Sequence, residues 1–140
     1  MAPETRFYQS LRNNCPPLWH WQRIESPTGL GIPDVNLFIP KVGEVWLELK
    51  SATKPIIRSA QHAWIKKRMI LGSNVAIVFQ FGKKIKIWDT PNFGVEATTT
   101  QGRLKVNTDP NYECEFSNFA ETLILSLTKK TANQNILNDE

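Results

Sequence analysis

Apolar and polar positions alternate twice between Leu30 and Lys50. Val35, Leu37 and Ile39 interleave with Asp34, Asn36 and Phe38. Val45, Leu47 and Leu49 interleave with Trp46, Glu48 and Lys50. A period of two belongs to a strand with one face in a core. Pro40-Lys41-Val42-Gly43 between the runs carries turn chemistry, so the stretch predicts a β-hairpin. The second strand then presents Trp46, Glu48 and Lys50 on the face opposite Val45, Leu47 and Leu49.

Other patterns surround this hairpin. Residues 3–14 read as a short helix, with Pro3 and Glu4 suited to its first turn and Phe7, Tyr8 and Leu11 as its apolar stripe. Cys15-Pro16-Pro17 ends it. Leu18 to Glu25 alternates loosely as a further strand that places Trp19 and Trp21 on one face, read here as core packing. The alternative use of that face is stacking against unpaired bases. Ser26 to Gly31 and Ser51 to Arg58 read as loops. Ser59 is a plausible cap for a helix from Ala60 to Leu71, with Ala60, Ala63, Trp64 and Leu71 inward and Gly72 as its stop.

Asn74 to Phe81 is almost wholly apolar, the mark of a central strand covered on both faces. Lys83 to Asp89 alternates lysine with isoleucine and reads as an outer strand. Pro91 to Pro110 is polar, with one short strand at Gly102–Val106. Ser117 opens a last helix to about Lys129, with Phe119, Ala120, Leu123, Ile124 and Leu127 inward. The order predicts an α/β fold, a mixed sheet flanked by helices. Residues 1–130 form one domain, and 131–140 a flexible tail.

Composition adds two constraints. A net charge of +4 favours an anionic partner such as nucleic acid. No apolar run is long enough for a membrane span and no signal-peptide core is visible, so a cytoplasmic location is expected, that of the host if the chain is phage-encoded. Two cysteines, Cys15 and Cys114, are too few for a disulfide framework and lack the paired spacing of a zinc site.

The chemistry gathers around Asp34, Glu48 and Lys50. Paired opposite Glu48 or Lys50, Asp34 shares their face; paired opposite Leu49, it points away. Sequence leaves that register open. Two converging carboxylates repel unless a cation lies between them. A site of few hard oxygen ligands suits Mg²⁺, which keeps waters and shares phosphate oxygens. Lys50 beside it could orient a water or neutralise developing charge. Asp34 and Glu48 could equally be a turn residue and a solvated strand face.

These residues also carry a resemblance. Ile32-Pro33-Asp34 followed by Glu48-Leu49-Lys50 resembles the PD-(D/E)xK nuclease signature. With Gly31 before it and Arg58-Ser59-Ala60-Gln61 opening a helix after it, the stretch is similar to VRR-NUC domains and small Holliday junction resolvases. The likeness covers roughly residues 4–80; the proline- and tryptophan-rich stretch after the first helix departs from it.

The resemblance implies a restriction-endonuclease-like core and a Mg²⁺-dependent DNA endonuclease, with Mn²⁺ able to substitute. Asp34, Glu48 and the Leu49 backbone carbonyl would hold the metal, joined by Glu4 or Glu25. Lys50 would assist the attacking water and Gln61 would orient it or Lys50. Lys54, Arg58 and the run Lys66-Lys67-Arg68 are candidate phosphate contacts. No helix-turn-helix or zinc-finger pattern is apparent, so recognition of DNA shape is expected, with a homodimer resolving four-way junctions. The alternatives are a flap- or fork-specific, nonspecific or restriction-type nuclease, or a non-catalytic nucleic-acid-binding module.

Overall fold

The computed structural model describes residues 3–24 and 30–138, and side chains as far as residue 128. The chain runs α1 (Pro3–Asn13), β1 (His20–Arg23), β2 (Val35–Ile39), β3 (Gly43–Ser51), β4 (Ile56–Arg58), α2 (Ser59–Ile70) and β5 (Val75–Phe81). It continues through β6 (Lys84–Trp88), β7 (Val95–Ala97), β8 (Arg103–Val106), β9 (Tyr112–Glu115) and α3 (Phe119–Asn138). Among the described residues, the main sheet has the order β1-β2-β3-β5-β6-β9, and a small sheet has the order β4-β8-β7. In the main sheet β3 and β5 pair in parallel and the other neighbours antiparallel. This is the expected mixed sheet flanked by helices.

The hairpin forms because both strands have an apolar side to bury. Val35, Leu37, Ile39, Val45, Leu47 and Leu49 are buried beneath α1 and α3, together with Phe7, Leu11, Phe119 and Leu123. Trp19 and Trp21 join that core, as read from the sequence. The opposite face of the sheet is covered by α2 and the small sheet. There Ile57, Ile65, Met69, Ile77, Phe79, Trp88, Phe93 and Val106 form a second core. Both faces of β5 are therefore apolar, while β3 carries Glu48 and Lys50 into the second layer.

Several local expectations are corrected. The stretch after β3 is not all loop, since Ile56–Arg58 pairs with β8. Ile57 supplies the reason, being fully buried in the second core. β6 is not the outer strand, because β9 covers it, with Lys84 opposite Glu115 and Lys86 opposite Glu113. Alternation in Tyr-Glu-Cys-Glu, with Tyr112 and Cys114 packed inward, explains β9.

Helix phases also differ from the reading. In α2 the buried stripe is Gln61, Ile65 and Met69; Ala63 and Leu71 are exposed and Trp64 half-buried. In α3 Phe119, Leu123 and Leu127 are buried as expected, but Ile124 is exposed and Ser126 is buried. The Ser126 hydroxyl donates to the Asp89 carboxylate, tying α3 to the end of β6. The helix continues to Asn138 instead of stopping near Lys129, in a stretch without glycine or proline to end it. Among the described residues, no helix is long and apolar enough to cross a membrane.

Candidate active site

Register settles where Asp34 points. Val35 faces Leu47 and Leu37 faces Val45, so the ladder continues to bring Asp34 opposite Glu48. Two hydrogen bonds lock this corner. The Asp34 N–H donates to Glu48 Oε1 at 3.3 Å, and the Leu49 N–H donates to Asp34 Oδ1 at 3.0 Å. A residue's N–H and C=O project toward the same edge of an extended strand. The Leu49 carbonyl therefore opens on the Asp34 side as well.

Lys50 and Gln61 complete the cluster. Lys50 Nζ lies 3.3 Å from Glu48 Oε2. Gln61 Nε2 donates to the same oxygen at 2.9 Å. Gln61 Oε1 in turn accepts the Arg58 N–H at 2.8 Å. That bond satisfies a donor at the start of α2 and fixes which way the amide points. Gln61 therefore serves the helix start and the site together. Its exposure is 5%, and that of Glu48 is 1%.

Burial dominates the electrostatics. Desolvation pushes Glu48 up to about 7, helped by the Asp34 charge and opposed by Lys50. Desolvation likewise pushes Asp34 up to about 6, against the Leu49 N–H and the charges of Lys50 and Arg23. The fold thus holds two carboxylates together where ionising both is unfavourable. A hard divalent cation would relieve that repulsion, and the oxygen donors of Asp34, Glu48 and Leu49 fit one.

The other expected site residues lie elsewhere. Glu4 is half-buried in the first turn of α1. Among the described residues no third carboxylate, histidine or cysteine joins Asp34 and Glu48 in a metal-holding group, so Glu4 is not brought to them. Glu25 lies outside the described residues. Lys54 is exposed in the loop after β3. The half-buried Arg58 meets the site through its backbone.

The basic run sits on the far half of α2, roughly 10 Å along the axis from Gln61 at 1.5 Å per residue. Lys66 lies over the Phe93 ring and Arg68 over Trp64, while Lys67 is exposed. Arg23 was missed. It donates to Thr5 Oγ1 at 3.1 Å, lies over Tyr8 and acts on Asp34 by charge. Only the pairing of β1 with β2 brings it there, and no local motif announces that pairing.

Gly31 positions the loop that delivers Asp34. Its φ is +80°, and a Cβ there would lie 2.1 Å from the Ala60 carbonyl oxygen. The chain at Gly31 therefore rests directly on the first turn of α2. Gly31→Ala is expected to destabilise the fold by at least about 2 kcal/mol, combining left-handed backbone strain with a backbone clash. Denaturant unfolding measures this, and an unchanged midpoint would contradict the close approach.

The raised carboxylates have a stability consequence. In the unfolded chain they titrate near 3.8 and 4.5, in the folded chain near 6 and 7. Between these values the folded state binds more protons, so its stability falls as pH rises. Asp34→Asn retains an oxygen for the Leu49 N–H and removes one charge. In buffer free of divalent ions it is expected to be more stable than the parent at pH 8, by about 1–3 kcal/mol, with a smaller gain at pH 5. Melting temperatures at the two pH values test this; a gain independent of pH would contradict it.

No family model and no curated protein matches the sequence. Solved structures do match the fold. One is that of Archaeoglobus fulgidus Hjc, a Holliday junction resolvase from an archaeal hyperthermophile, at 14% identity and a TM-score of 0.50. The match covers 84% of this chain and 99% of that one. At such identity the likeness is one of architecture, and this chain has the mixed sheet and flanking helices of a restriction-endonuclease-like fold.

Proposed function

We propose that this protein is a metal-dependent DNA endonuclease that acts on branched DNA, in the manner of a junction resolvase. One observation carries the reading: Asp34 and Glu48 meet in a buried corner with Lys50 3.3 Å from Glu48. The PD-(D/E)xK resemblance and the fold shared with a resolvase support it from independent directions. Mg²⁺, or Mn²⁺ in its place, held by Asp34, Glu48 and the Leu49 carbonyl, would supply an acidified water and shield phosphate charge.

The side chains do the remaining work. Glu48 holds Lys50 with its ammonium at the edge of the site, its side chain 19% exposed. From there Lys50 can hydrogen-bond a water or a phosphate oxygen and offset the charge that develops during hydrolysis. Gln61 donates to Glu48 while anchored through Arg58, so the carboxylate keeps one orientation throughout. Arg23 adds a second cation on the Asp34 side. Lys54, exposed on the loop after β3, would contact backbone phosphates.

A single site cuts one strand, so paired cuts across a two-fold junction call for two copies of the chain. Lys50→Ala is expected to lower Mg²⁺-dependent cutting of a four-way junction by at least about 100-fold, the scale of losing one charge-stabilising group. Junction binding should be retained. Gel analysis of labelled junction, flap and linear duplex measures both. Undiminished cutting by the variant would refute the site. Preferred cutting of flaps would replace the junction reading with a flap- or fork-specific one, and equal cutting of all three with a nonspecific one. Binding that neither Mg²⁺ nor Mn²⁺ converts to cleavage would mark a non-catalytic module.

A further inference from the structure

Beyond Lys50 the covered face of the sheet opens into a groove of about 560 Å³. The main sheet forms its floor. Phe79 stands beside Lys50 in the β3–β5 ladder, and Lys86 stands beside Phe79 in the next one. Phe81, two residues further along β5, therefore projects on the same side. The opposite wall is the loop of Thr53, Lys54 and Pro55 with Lys105 and the segment that follows it. Phe79, which lines the groove, is the ladder neighbour of Lys50, so the groove lies next to the proposed catalytic corner.

Its chemistry is that of a stacking site. Phe81 is 53% exposed although it is a large aromatic side chain in a strand. Its ring leans on Phe79, with centroids 6.3 Å apart, and Lys86 Nζ lies 4.7 Å from its centre. Three lysines line the groove, Lys54, Lys86 and Lys105, against the acids Glu96 and Asp109. Lys105 pairs with Glu96 at 3.8 Å. Outside the groove lie the exposed Lys83, in the turn after Phe81, and Lys84 at the start of β6, the latter 3.7 Å from Glu115 in an exposed pair of small energetic weight. Lys86 also faces Glu113 across the β6–β9 ladder, so the cationic excess is small and the exposed ring is the leading feature. An exposed ring with lysines beside it is the combination that takes an unpaired base and its phosphates.

We propose that this groove receives an unpaired DNA strand leaving the cleavage site, with Phe81 as the platform for a base and Lys54 and Lys86 as phosphate contacts. The proposal rests on the nuclease reading of the Lys50 corner and narrows its substrate to branched DNA whose branch point is opened, for which a single-stranded arm is the simplest probe. Paired duplex offers no free base face to Phe81, so the groove would distinguish branched from linear DNA without reading sequence.

The test uses the full chain and a duplex with a single-stranded arm carrying 2-aminopurine, in EDTA so that nothing is cut. Its fluorescence is expected to fall on binding, as a stacked base requires. Phe81→Ala should abolish that quenching and weaken binding of the armed duplex about tenfold, the scale of one base–aromatic stack. Binding of blunt duplex should be unchanged, and Phe81→Trp should restore both properties. Phe81 is half exposed, so these variants are expected to fold, and melting temperatures verify it. Equal weakening on armed and blunt duplex, or no change on either, would overturn the groove.

The two readings can fail separately. Quenching by a parent protein that cuts no DNA with Mg²⁺ would support the groove and sink the nuclease. Cutting of branched DNA that is indifferent to Phe81→Ala would leave the nuclease and sink the groove.

Discussion

The β2–β3 register is the constraint on which the rest depends. With Val35 opposite Leu47, the apolar residues of both strands enter one core and Asp34 arrives opposite Glu48. A slip of one residue would turn three core side chains of β2 to the wrong face. The hydrophobic effect therefore pins the register, and the polar corner inherits its geometry from apolar packing on the other side of the sheet. Gly31 closes the corner by letting its own backbone rest on α2, where a side chain would collide.

That geometry opposes stability. Two carboxylates are withdrawn from water side by side, and both titrate well above their usual range. Hydrogen bonds from Asp34, Leu49 and Gln61 and the charge of Lys50 offset part of the cost. The remainder is borne by two apolar cores, one under α1 and α3 and one under α2 and the small sheet. Unfavourable electrostatics kept in place by surrounding packing is what the proposed cation site would require. The same second layer that buries Glu48 also walls the groove past Lys50, so site and groove share one structural origin.

Much of this was legible in sequence because its cause is local. Alternation named β2 and β3 and the apolar run named β5, while Ile32-Pro33-Asp34 and Glu48-Leu49-Lys50 supplied the residues of the corner and left open the register that joins them. Gln61 was reachable only through the resemblance, since its phase on α2 is set by Glu48 and contradicts the apolar stripe expected from Ala63 and Leu71. What stayed hidden depends on pairing between distant segments. β4 has three residues and exists because β8 lies beside it. β9 has only Tyr112 and Cys114 to pack inward, and its short alternation becomes a strand where β6 lies beside it. Arg23 reaches Asp34's field only once β1 pairs with β2. Phe81 read as the end of a buried strand, and its exposure follows from β3 ending while β5 continues.

The proposal that Asp34, Glu48 and Leu49 hold one cation is tested most directly by paramagnetic broadening. In nuclear magnetic resonance spectra of the full chain, substoichiometric Mn²⁺ should erase the backbone amide signals of Asp34 and Leu49 and the side-chain amide of Gln61 before any others. Mn²⁺ that leaves these signals intact, or that first broadens residues remote from this corner, would contradict the account.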